Sequence, residues 1–220
     1  MRHWIRDHGL LLVNGALFVI SFAGMVLSGA SSYAADQQAH GETTVGVLGF
    51  LGTGEFVEAT FENWESEFLQ MGMYVVLTAY LFQRGSSESK LPGRHEPQDD
   101  DPRDASGTSD APWPVRRGGV ILRLYEHSLS IMFFVLFAAS FLLHAVGGSA
   151  AYSEEQAAHG LPGATVLEYL GTSRFWFESF QNWQSEFMVI ALMIGASVYL
   201  RERGSVESKP VAMAHGSTDT

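Results

Sequence analysis

Two boxes hold the residue types most able to do chemistry in this chain, Asn63-Trp64-Glu65-Ser66-Glu67-Phe68 and Asn182-Trp183-Gln184-Ser185-Glu186-Phe187. On a helix, Asn63, Glu67, Met71, Tyr74 and Thr78 share one face and Phe61, Trp64 and Phe68 another, because residues three and four apart stand one above the other. The charge-free stretches 68–83 and 187–200 reach only about 20–24 Å as helix, so crossing ~30 Å of hydrocarbon requires the box itself. Glu67 and Glu186 then lie several ångströms inside the boundary, where a retained carboxylate faces a bundle interior or a wet cavity. Glu67, Glu186, Asn63 and Asn182 therefore form a candidate ion or proton site. Two carboxylates in one such site cannot both ionise cheaply, so the pair would hold a proton or share a cation. The plainer reading makes Trp64 and Trp183 interfacial anchors and leaves both glutamates among head groups; the frequency of tryptophan at helix entrances favours it.

The histidines also pair, His8 with His127 and His40 with His159, as candidate metal ligands. A haem or metal inside the bundle would be expected on histidines within the crossings, whereas these four lie at or beyond the ends. His144 is the one inside a crossing, and it aligns with Met25. The chain has no cysteine, which excludes disulfides and thiolate sites. No nucleophile elbow, phosphate loop or zinc-hydrolase spacing occurs, so neither a cofactor nor an enzymatic activity is expected. A net charge of −11 without a basic stripe excludes nucleic acid as a partner.

What positions the boxes is a repeat. At an offset of 119 residues and without a gap, His8 falls on His127, Tyr33 on Tyr152, Ala39-His40-Gly41 on Ala158-His159-Gly160 and Leu51-Gly52-Thr53 on Leu170-Gly171-Thr172. The match ends with Arg84-Gly85-Ser86-Ser87-Glu88-Ser89-Lys90 on Arg203-Gly204-Ser205-Val206-Glu207-Ser208-Lys209. The chain reads as a tandem duplication, so its fold should be two copies of one unit. Residues 9–28 and 128–147 hold no Asp, Glu, Lys or Arg and each has the ~20 residues of a transmembrane helix. The expected fold is an all-α membrane protein of four transmembrane helices, two tandem two-helix repeats related by a pseudo-two-fold axis along the membrane normal.

The first repeat is expected over 1–84, with crossings at about 9–28 and 64–83, and the second over 118–203, with crossings at about 128–147 and 183–200. Between them, 85–117 carries five of the seven prolines and an acidic run, and should be a disordered cytoplasmic linker; 204–220 is a short, polar, frayed cytoplasmic tail. Residues 30–67 hold seven acids and no Lys or Arg, and the equivalent segment of the second half holds Arg174 alone. The positive-inside rule then places both termini in the cytoplasm. Arg2, Arg6 and the apolar run also resemble a cleavable signal peptide, but the run exceeds a signal core and its aligned copy sits mid-chain. A helix starting near Phe56 would be capped by Thr53, with Gly85 as its C′ residue. Asn14, Leu17, Ser21, Gly24 and Ser28 form a small-residue stripe suited to helix packing.

Both pairs of boxes and the junction Ala111-Pro112-Trp113-Pro114-Val115-Arg116-Arg117-Gly118-Gly119 resemble an uncharacterised family of small bacterial membrane proteins. The resemblance covers nearly the whole chain and implies a bacterial inner-membrane protein of the same duplicated architecture. It carries no catalytic residue across. Two functions follow as expectations: a non-enzymatic accessory or scaffold protein, whose partners are the lipid bilayer, other membrane subunits or a second copy of itself, and, as the alternative, a proton or cation channel or transporter using Glu67 and Glu186.

Overall fold

The computed structural model describes residues 2–91 and 93–218, the Arg2 side chain excepted. Met1, Pro92, Asp219 and Thr220, the outer ends of the expected 1–84 and 204–220 segments among them, lie outside the described residues, as does the Arg2 side chain counted in the basic N-terminal flank. Among the described residues the secondary structure is helical throughout, without a strand. Four helices dominate: α1 (Gly9–Ala39), α2 (Gly54–Tyr80), α3 (Ser128–Ala158) and α4 (Ser173–Tyr199). Of these, α1 and α3 are long and apolar enough to cross a membrane.

Both α1 and α3 have 31 residues, or ~46 Å, and overrun the expected ends at 28 and 147 by about three turns. The stretch Tyr33 to Ala39 continues α1 because nothing in it breaks the hydrogen-bond ladder. What stops both helices is the repeated glycine. Gly41 (φ 74°) and Gly160 (φ 70°) adopt the left-handed conformation. Gly41 N–H then donates to Gln38 O and Glu42 N–H to Gln37 O, and at the second helix end Gly160 N–H donates to Ala157 O and Leu161 N–H to Gln156 O. This paired pattern satisfies the last carbonyls and is open chiefly to glycine.

Both α2 and α4 have 27 residues and start on the expected threonine cap. Thr53 Oγ1 accepts from Phe56 N–H at 3.2 Å, and Thr172 Oγ1 from Phe175 N–H at 3.3 Å. Their ends depart from expectation. The helices stop at Tyr80 and Tyr199, short of 83 and 200, so Gly85 is not a C′ residue. The Arg-Gly-Ser boxes fold back instead: Ser89 Oγ accepts from Gln83 N–H at 3.0 Å and Ser208 Oγ from Glu202 N–H at 2.9 Å. Gly85 (φ 83°) and Gly204 (φ 89°) make the tight turn that allows it.

The chain divides into two compact units. The first comprises Met1–Phe61 and Leu143–Phe175. Here the start of α2 lies against α3 at backbone distance: a Cβ on Gly54 would stand 2.6 Å from Ala151 N, and one on Gly147 would stand 2.4 Å from Glu58 N. Small residues permit this approach, which is what joins helices where no hydrophobic drive separates protein from lipid. Two ring clusters follow. Tyr33, Phe50 and Phe56 pack with centroids 5.7 and 5.5 Å apart, and Tyr152, Tyr169 and Phe175 with centroids 5.7 and 5.6 Å apart. The small-residue stripe of α1 is not used. Asn14, Leu17, Ser21, Gly24 and Ser28 are exposed, and Asn14 and Ser28 bond back to Leu10 O and Gly24 O of their own helix. Packing falls on Gly29 and Ala30, one turn further along, where Gly29 lies under the Phe50 ring.

The second unit comprises Glu62–Leu142 and Trp176–Thr220. Gly72 receives the Phe133 and Phe134 side chains, and Phe137, Trp183, Phe180 and Trp176 form a ladder of rings. The segment expected as structureless linker contains 3-10 turns at Pro97–Asp99 and Pro102–Ala105 and a helix at Trp113–Arg117, with Lys90 paired to Asp99. Nor is the tail frayed through its described length. Lys209 is buried, and its ammonium donates to the carbonyls of His215 and Ser217 at 2.9 Å each; Thr218 Oγ1 accepts from Gly85 N–H. A buried ammonium is tolerable only when carbonyls replace its water, so Lys209 itself orders the residues after it.

Candidate functional site

Five glutamates, Glu55, Glu58, Glu62, Glu65 and Glu67, lie on α2, and the four long helices together hold a single Lys or Arg, Arg174. Helical periodicity sets Glu58, Glu62 and Glu65 on one stripe and Glu67 on the opposite side. Within the second unit, Glu65 is fully buried, and the Trp183 indole N–H donates to its Oε1 at 2.9 Å. One turn earlier, Glu62 accepts from the Asn182 side-chain amide, which also donates to Glu178 O at 3.1 Å. Ser66 and Gln70 are buried beside this stripe, and Gln70 Nε2 donates to Glu186 O at 2.7 Å. The arrangement sets the Glu65 carboxylate out of water beside an indole donor, on helices whose single basic side chain, Arg174, pairs with Glu155.

Within the first unit, Glu58, His144, Tyr169 and Phe175 make a buried cluster. The Tyr169 hydroxyl donates to Glu58 Oε1 at 3.0 Å, a Glu58 carboxylate oxygen and a His144 ring nitrogen lie within 4.8 Å, and the Phe175 ring lies over the imidazole at 4.8 Å and 30°. Gly148 makes room for the phenol: a Cβ there would stand 2.5–2.7 Å from the ring and its hydroxyl. On the outer side of the same unit, Tyr33 donates to Glu154 at 3.3 Å, and its hydroxyl is held above its usual range by burial and then by the charge of Glu154.

The residues singled out by sequence are split by this geometry. Glu67 is exposed and Glu186 half-buried, yet the two are near enough for their like charges to repel. Asn63 is exposed, and Asn182 serves Glu62 rather than Glu186. Trp64 packs edge-on to Phe68 at 6.4 Å, as an aromatic anchor can, but Trp183 holds a buried carboxylate and so does more than anchor. The four paired histidines are all exposed; His40 and His159 bond to Asp36 O and Glu155 O of their own helices, and His8 packs on Trp4. Among the described residues, none of the four joins a group of three or more metal-ligating side chains.

Sequence reasoning missed Glu65, Glu58 and Tyr169. A signal was available in the repeat: Glu58, Glu62 and Glu65 align with Phe177, Gln181 and Gln184, so the acidic stripe belongs to one copy alone. A second carboxylate pair was also missed. Glu88 and Glu207, equivalent positions in the two Arg-Gly-Ser boxes, stand near enough for the charge of Glu88 to hold the Glu207 carboxyl above its usual range, and Tyr74 donates to Glu88 Oε2 at 2.9 Å.

These features define an all-helical protein with two helices suited to a membrane and acids buried among its long helices. The chain belongs to the family described as Domain of unknown function (DUF6766), whose model matches residues 1–220, which bears out the resemblance to an uncharacterised family. No curated protein and no solved structure matches it.

Proposed function

We propose that the chain is a non-enzymatic protein of the bacterial inner membrane, with four crossings in two tandem two-helix repeats and both termini cytoplasmic, that binds a proton or a cation at Glu65. The observation that carries this reading is the full burial of Glu65 against the Trp183 indole on helices almost without basic residues. The site differs from the Glu67 and Glu186 pair suggested by spacing. Glu67 and Glu186 lie closer to the surface of the same unit, where like charge concentrates cations rather than binding one. The test is flux in liposomes holding the purified protein, with a pH-sensitive dye inside and Na+ or K+ gradients imposed. Glu65→Gln is expected to abolish the flux and Glu67→Gln to leave most of it. Absence of flux from the wild-type protein, or equal flux from Glu65→Gln, removes the reading.

A second reading, an accessory subunit, is favoured by one observation. The most apolar window of α1 has none of its residues buried, so its whole circumference is offered to lipid or to another membrane subunit. Co-purification of a stoichiometric partner in mild detergent, lost on replacing Leu10, Leu17 and Leu27 with alanine, supports it; a chain that purifies alone opposes it.

A further inference from the structure

We propose that Glu58 and His144, positioned by Tyr169, form a binding site for one divalent transition-metal ion. The first support is geometric. A carboxylate oxygen and an imidazole nitrogen within 4.8 Å of each other come to share one tetrahedral ion at ~2.1 Å from each by closing to ~3.4 Å, within reach of side-chain rotation. The Tyr169 hydroxyl on Glu58 Oε1 is the outer hydrogen bond that orients a ligating carboxylate, and the Phe175 ring fixes the plane of the imidazole. All four side chains are buried, so none of these orientations is set by a mobile surface group.

The second support comes from the duplication. At the positions equivalent to His144 and Tyr169 the first copy carries Met25 and Phe50, and at the position equivalent to Glu58 the second copy carries Phe177, all apolar. Their neighbours stay alike: Phe175 matches Phe56, Tyr152 matches Tyr33, and Gly148 and Gly29 each lie under the ring of Tyr169 or Phe50. The ring scaffold of Tyr152, Tyr169 and Phe175 thus has a counterpart in Tyr33, Phe50 and Phe56, and the imidazole and the phenol on Glu58 belong to one copy alone. Ring packing alone does not call for the polarity of Tyr169, because Phe50 packs on Phe56 in the first copy without it. Three polar replacements that meet at one place make a ligand set.

The ligand chemistry selects the ion. Imidazole nitrogen disfavours Mg2+ and Ca2+, which take oxygen, and suits Zn2+, Fe2+, Co2+ and Mn2+ with a carboxylate beside it. An ion held here would tie α2 to α3 at the point where Gly147 already brings their backbones together, and would stabilise the fold further as its concentration rises above Kd.

The proposal stands apart from the Glu65 reading, since the variants that test the two differ and either can fail alone. The experiment is titration of the purified, chelator-stripped full chain in detergent with Co2+, followed by its visible absorption, and with Zn2+, followed by calorimetry. One ion per chain is expected. Glu58→Gln and His144→Met should weaken binding at least tenfold, and Tyr169→Phe about tenfold, the usual effect of losing an outer-shell partner. His144→Met and Tyr169→Phe install the residue types that the other copy already accommodates, and circular dichroism checks that each variant stays helical. Wild-type protein that binds neither ion, or helical variants that bind as tightly as wild type, would overturn the site. So would a zinc-edge absorption spectrum of the wild-type complex without an imidazole in the coordination shell, whatever the variants do.

Discussion

Glu65 and Glu67 stand two residues apart in one box, and on a helix that separation turns them ~200° from each other. One is therefore buried against Trp183 while the other is exposed, although the sequence presents them side by side. Single side chains lend themselves to direct tests. A Cβ on Gly147 would meet backbone atoms of Val57 and Glu58, which cannot yield as a side chain can. Gly147→Ala should accordingly cost about 1–3 kcal/mol, seen as a fall in melting temperature in detergent. Gly15 has nothing within 4 Å of a Cβ, and Gly15→Ala should be neutral or stabilise by up to ~1 kcal/mol through helix propensity. The same melts can be read against pH. Glu207 is held above the ordinary glutamate value of 4.5, chiefly by the charge of Glu88. A carboxyl that binds its proton more tightly when folded stabilises at low pH and loses that contribution as pH climbs through the raised value. Melting temperature should thus fall as pH rises from 4.5, and Glu207→Gln should flatten the slope. Because Glu207 is exposed, the effect should also shrink in high salt.

At the scale of the element, each long helix is defined by a start or stop signal that occurs twice in the sequence. Thr53 and Thr172 cap α2 and α4, and loss of either hydroxyl leaves an N–H of the first turn without its acceptor. Thr53→Ala and Thr172→Ala should each cost about 1 kcal/mol by thermal melting, and a loss confined to one of them would show that the two helices do not rest on equivalent caps. The helix ends show where local signals compete. Gly85 is sited as a helix stop by composition, but the serines that follow Gly85 and Gly204 accept from Gln83 and Glu202 N–H, and each helix ends five residues before its glycine. The Lys of each box then diverges. Lys90 pairs with Asp99 of the following segment, whereas Lys209 turns inward onto carbonyls of its own tail.

For the whole molecule, the proposed topology rests on charge. Of the thirteen Lys and Arg residues, Arg174 alone lies within a long helix, beyond which the basic residues flank the helix ends, 85–117 and the two termini. Reporter fusions after residues 84 and 203 should report the cytoplasm, and fusions after 41 and 160 the opposite side. An 85–117 segment found outside would break the four-crossing arrangement, since an odd number of crossings would then precede it.

Much of the architecture is set by features that act locally. Apolar run length against bilayer thickness, the left-handed glycines at 41 and 160, the threonine caps and the 119-residue offset each depend on a few neighbouring residues, and so can be read from the chain in order. Whether a given carboxylate is buried depends instead on which helix face meets a neighbour, and that is a property of packing. The close approaches at Gly54 and Gly147 present the Glu58 side of α2 inward, and Trp183 closes over Glu65 further along. Spacing alone favoured Glu67, which has the more symmetrical repeat partner in Glu186. The tertiary structure buried Glu65 and joined Glu58 to His144 and Tyr169, because burying an acid requires donors and neighbours that lie far away in the chain, 111 residues for Tyr169 and 118 for Trp183.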